Sequence, residues 1–188
     1  MLPPRRHGPS ATDRTYALGM DERATAERVV NWFAQRDYEM KGTSLAGVPC
    51  SVARTTKFRW IWLGTLQVFV FVAAVEHGLG VELAQTFTEA SVEYAKSNKR
   101  TGGTVGSQFW VGAIPVLVSS NINERAWSWA NQRPPRHVGA LVIPAIVNSA
   151  TRERSAYTGS IVLGAAYAGF LRELVNESVD AALGGRPA

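Results

Sequence analysis

Apolar positions recur along the chain with two different periods. Ala26, Val29, Val30 and Phe33 fall at i, i+3, i+4 and i+7, which is one face of a helix. Trp32 widens that face, and Arg23, Glu27, Arg28 and Arg36 occupy much of the remainder. Asp21 stands where a side-chain oxygen can cap the free amides of a first turn, so the pattern predicts a helix starting near Asp21. Further on the period shortens. Residues 38–41 and 48–53 read as strands, and residues 58–75 form a long apolar run with a turn at Gly64-Thr65. Within that run Val68, Phe69, Val70, Phe71 and Val72 are all apolar. A strand apolar on both sides is a central one, covered on both faces.

The helical period returns at residues 81–97, where Leu83, Phe87, Ala90 and Tyr94 form a stripe at i, i+4, i+7 and i+11. Residues 109–118 read as a strand containing Pro115, and residues 123–131 as a short helix ending before Pro134-Pro135. Residues 138–147 form another strand, containing Pro144. A turn at 148–152 and a return strand at 153–158 make a hairpin. A last helix spans 160–182, with Leu163, Tyr167, Phe170, Leu171 and Leu174 on its apolar side and Arg172, Glu173, Asn176, Glu177 and Asp180 on its polar side. The order is α-β-β-β-α-β-α-β-β-α. It predicts an α/β (or α+β) fold, one mixed sheet of five or six strands with four helices packed on it. A faint echo links Val111-Gly112-Ala113-Ile114-Pro115 to residues 138–144, which end in Ile143-Pro144. Both continue into aliphatic residues and then Ser or Asn. Proline has no amide hydrogen, so each of these strands is expected at an edge or bulged at its proline.

The 188 residues are 46% hydrophobic and 19% charged, enough for one domain with its own core. Residues 1–19 carry Pro3, Pro4, Gly8 and Pro9 and read as a disordered tail, with Met20 as an alternative start. Residues 20–184 make the domain and 185–188 a short flexible end. The single cysteine, Cys50, excludes an intramolecular disulfide and any cysteine-only zinc site. No export signal is seen at the start. The most apolar stretch, residues 60–75, is shorter than the roughly 18–20 residues of a spanning helix. A soluble, cytoplasmic protein without a membrane contact is therefore expected. The net charge is +5, which permits anionic partners but says nothing of the fold. Sixteen of the twenty basic residues are Arg, and they are scattered as pairs rather than gathered in a run.

Individual motifs give little catalytic signal. Gly78-Leu79-Gly80 follows an apolar strand and precedes a helix, the place of a phosphate loop. The third glycine of that fingerprint would fall at Leu83 and is missing. The plain reading is a turn needing positive φ. Residues 99–107 are basic and Gly-rich but join helix to strand, the reverse of a Walker loop. Glu39-Met40-Lys41 has the spacing that places a metal-binding acid beside a phosphate-binding lysine. Its strand neighbours offer no further carboxylates, and a divalent cation needs them. Cys50 with His77 or His137 is a nominal thiol and base, yet a lone cysteine in a strand is more often a small buried hydrophobe. Six tryptophans remain. Trp32 and Trp110 are expected in the core, and Trp60, Trp62, Trp127 and Trp129 nearer the surface.

No catalytic residue, metal or cofactor is assigned. The leading expectation is a non-catalytic domain that acts through protein contacts, as a homo-oligomer or with another protein. One alternative is a nucleic-acid-binding domain in which Lys99, Arg100, Arg133 and Arg136 hold phosphates and Trp127 or Trp129 stacks on bases. A second alternative is a small-molecule-binding protein or enzyme, with Glu76, His77, Gly78 and Gly80 at a strand end and the 99–107 loop beside them.

Overall fold

A computed structural model describes residues 11–59, 64–100, 109–159 and 165–184. The first helix, α1 (Ala11–Ala34), begins at Ala11 and not near Asp21. The prolines that signal a tail end at Pro9, and Ala11, Ala17, Leu18 and Met20 favour helix. The helix thus takes in residues 11–19, and Asp21 is an interior position. Residues 1–10 and 185–188 lie outside the described residues.

Three strands follow: β1 (Glu39–Leu45), β2 (Val48–Arg59) and β3 (Gly64–Ala74). Then come α2 (Val81–Ser97), β4 (Phe109–Ser119), α3 (Glu124–Ala130), β5 (Ala140–Val142), β6 (Ala145–Asn148), β7 (Glu153–Ala156) and α4 (Ala165–Ala182). Among the described residues the fold is mixed α/β, four helices on one sheet of seven strands. The spatial order is β1-β2-β3-β4-β6-β7, with β5 also on β4. β1, β2 and β3 form an antiparallel meander. β3, β4 and the β5/β6 pair are parallel, as connections through α2 and α3 require.

Alternation along the central strands sorts the side chains into two cores. Val68, Val70, Val72, Ile114, Val116 and Val118 face α1 and α4, where Val29, Phe33, Leu171 and Val175 meet them. Phe69, Phe71, Val111, Ala113 and Leu117 face α2 and α3, against Ala84, Phe87, Val92 and Ala126. This is the two-sided burial expected of β3. Trp32 is buried, and Trp110 is half-buried, stacked on Tyr167 with ring centroids 6.4 Å apart. Gly112 lets α4 approach, since a Cβ there would lie 2.9 Å from Leu171 Cδ2. The helix stripe in α2 is Ala84, Phe87, Thr88, Ser91, Val92 and Ala95. Leu83, Ala90 and Tyr94 flank it, half-buried.

The two prolines overturn the expectation of an edge or a bulge. β4 has neighbours on both sides, and so has β6. Val111 pairs with Ala140 before the break and Val116 with Ala145 after it, so the register is unchanged across it. That register sets Pro115 opposite Pro144. Val111 N donates to Gly139 O, and Ile143 N to Ala113 O. This alternation aims the Pro115 nitrogen at Ile143 O, where it has no hydrogen to give. The ladder opens there, and what reads in sequence as one strand becomes β5 and β6. The Pro144 nitrogen faces the other way, where β7 has already ended at Ala156.

Candidate functional site

The candidate residues fall at the two opposite ends of the parallel strands. Beyond the C-terminal end of β3, Glu76, His77 and Gly78 line a cleft of about 770 Å³ between α1 and the β1–β2 hairpin. Gly80 is instead the N-cap of α2, with extended backbone at φ −87°. Only Gly78, at φ +94°, needs glycine's conformational freedom. The floor of the cleft is Val30, Val48, Val72 and Ala74, with Cys50 and Ser51, and Arg23 and Glu27 stand on its rim. Arg23 Nε donates to Glu76 Oε1 and ties α1 to the strand end. Cys50 is buried, and burial pushes its thiol up to about 11. At neutral pH it is a neutral thiol and a poor nucleophile. Among the described residues no group of three or more His, Cys, Asp or Glu gathers to hold a metal.

Next to the cleft, a polar belt closes the strand ends. Glu22 is almost wholly buried, and its Oε1 accepts from Ser120 N and Ser120 Oγ, both at 2.6 Å. Ser119 Oγ donates to Val75 O at 2.8 Å. Leu79 N donates to Asn121 O, and Asn123 N to Leu79 O. These bonds pin the starts of α2 and α3 together. They give the polar groups of the belt structural work.

The other end of the sheet is basic. Lys99 and Arg100 follow α2, and Gln67 in β3 clamps that segment. Its Nε2 donates to Arg100 O and its Oε1 accepts from Arg100 N, both at 2.8 Å. Gln67 pairs with Val111 and Val111 with Ala140, so Arg100 is fixed about two strand spacings, roughly 10 Å, from the start of β5. There Arg133 and Arg136 wall a groove of about 230 Å³ with Trp110, Pro134, Pro135 and Val138. Neither of these two arginines makes an ion pair or side-chain hydrogen bond among the described residues. Arg100 reaches Glu39 at 3.3 Å, and Arg54 reaches the same carboxylate at 2.7 Å. Glu39 is thus spent on anchoring the edge strand. His137 lies beneath the groove, its Nε2 3.8 Å from Glu89 Oε1, too far for a hydrogen bond.

Thus the four basic candidates share one end, and the tryptophan beside them is Trp110. Trp127 and Trp129 are half-buried on α3 against the second core. Trp127 O accepts from Ser155 Oγ at 2.7 Å. Trp60 and Trp62 lie outside the described residues, as do residues 101–107 of the Gly-rich loop. The small-molecule alternative placed that loop beside Glu76–Gly80. The fold corrects this: Lys99 and Arg100 sit at the start of β3 and Glu76 past its end, about 30 Å apart. Sequence reasoning also passed over Glu22, Gln67 and Val138. Gln67 had a signal, a lone amide in an apolar strand. Val138 had one too, an aliphatic residue at a turn glycine.

No protein-family model matches the chain, and neither a curated protein nor a solved structure shows significant similarity to it. No helix among the described residues is long and apolar enough to cross a membrane.

Proposed function

We propose that the protein is a non-catalytic binding domain that works through contacts with copies of itself. Val138 carries this reading. It is 95% exposed, the one large hydrophobic side chain so exposed among the described residues. Burying a valine is worth about 1.5–3 kcal/mol, so a contact that covers Val138 gains about that much. Light scattering over a range of concentrations tests the reading. A mass above that of the 20.4 kDa chain is expected, rising with concentration; a monomer at every concentration would reject it.

A second reading has its own observation. Arg133 and Arg136 are unpaired beside the Trp110 groove, with Lys99 and Arg100 at the same end. Guanidinium groups around an aromatic wall suit single-stranded nucleic acid. Fluorescence anisotropy with single-stranded DNA and RNA at two salt concentrations tests it. Nucleic-acid binding would fall steeply with salt, and Arg133→Glu with Arg136→Glu would abolish it. Unchanged binding in that variant would remove this assignment.

A further inference from the structure

The exposed valine and the wide cleft lie at opposite ends of the parallel strands. Val138 sits in a four-residue turn, where Ala140 N donates to His137 O and Gly139 takes φ +75°. Glycine at the third turn position is what that geometry demands. Pro134-Pro135 precede the turn, and His137 is packed under it. The knob is therefore held in place before any contact, which lowers the entropy lost on docking. Arg133 and Arg136 flank it without partners.

The cleft offers the reverse. Its floor is aliphatic, and Glu27 and Glu76 stand on its rim against a single cation, Arg23, already engaged with Glu76. Glu27 makes no ion pair among the described residues. Glu82 adds a carboxylate at the nearby start of α2.

We propose that the Val138 turn of one copy docks in the Arg23–Glu76 cleft of a second copy, so that the chain assembles head to tail. This rests on the homo-oligomer reading above and specifies its surfaces. Val138 meets the aliphatic floor, and Arg136 faces Glu27. The interface joins two different patches, so it closes into a ring or runs on as a filament. A nucleic acid would satisfy the arginines but has no apolar pocket for Val138, and the cleft has one.

Two exposed substitutions test the docking, Val138→Asp on the knob and Glu27→Arg on the rim. Each should weaken association by roughly tenfold or more, as loss of an interface anchor does, while circular dichroism and melting stay unchanged. Mixed in equal amounts, the two variants retain one sound cleft and one sound knob between them. They should form a complex of two chains and no larger.

Larger assemblies of the native chain that ignore both substitutions would overturn head-to-tail docking and leave self-association standing. Loss of assembly in both variants with no recovery on mixing would mean a self-complementary interface and would overturn it too. A native chain that is monomeric once nuclease-treated, and gains mass only with added oligonucleotide, would overturn both readings in favour of nucleic acid.

Discussion

Cys50 and Tyr38 make the folded state sensitive to alkali. Burial raises the Cys50 thiol from 9.0 to about 11 and the Tyr38 phenol from 10.0 to about 12. The unfolded chain loses these protons first. The stability they contribute is complete below pH 9 and is lost as pH rises through about 11 for Cys50 and about 12 for Tyr38. Denaturant titrations at pH 8 and pH 10.5 should show the native chain losing more stability than Cys50→Ala. Equal losses would contradict the burial of the thiol. Gly112 is the opposite case, a residue defined by what it lacks. Gly112→Ala drives a methyl against the fully buried Leu171 and should cost about 1–3 kcal/mol. Leu171→Ala in the same chain makes room, so urea melts of the double variant should show less than the summed loss. The apolar character of these positions was legible in sequence. That Gly112 opposes a leucine near its surface was not, because nothing in the sequence near Gly112 points to a residue 59 positions on.

Helices and strands were easier to read than their joints. α2 appears where periodicity placed it and α3 within residues 123–131 as expected; Asn123 Oδ1 accepts from Arg125 N at 2.8 Å as an N-cap. α1 was read short because tail-like composition stops at Pro9 while an eye for caps settles on Asp21. The prolines misled for a clear reason: a missing donor forbids one hydrogen bond, not a place in the sheet. β4 tolerates Pro115 because the break is aligned with Pro144 and the register continues. Pro115→Ala should restore a donor to Ile143 O. Hydrogen exchange should then find the new amide protected and β5 and β6 exchanging as one strand; a fast amide would refute this hydrogen-bond direction. The joint between α1 and β4 is Glu22. Glu22→Ala removes both bonds to Ser120 and should destabilise by about 2–3 kcal/mol. Glu22→Gln keeps an acceptor and should lose less, as thermal melts can rank.

At the scale of the whole molecule, α2 runs from Glu82 in its first turn to Lys96 in its last, with Lys99 and Arg100 just beyond, each charge favourable to the helix dipole. Self-association through those ends should weaken as salt rises from 0.05 M to 0.5 M, because exposed charges are screened; sedimentation that is blind to salt would place the contact elsewhere. The mixed architecture could be read from alternating periods alone. The gathering of four basic residues at one end could not, since it depends on which strands run parallel.

The same layering bears on how the chain is made. α1 and α4 cover one face of the sheet side by side, and Arg28 Nε donates to Ala182 O at 2.7 Å. α4 leaves the ribosome after every other described element. Until it does, Val116, Ile143 and Val147 have only half their cover. A nascent chain with a complete sheet would thus still present a greasy, uncapped side, and folding would finish against the helix made first.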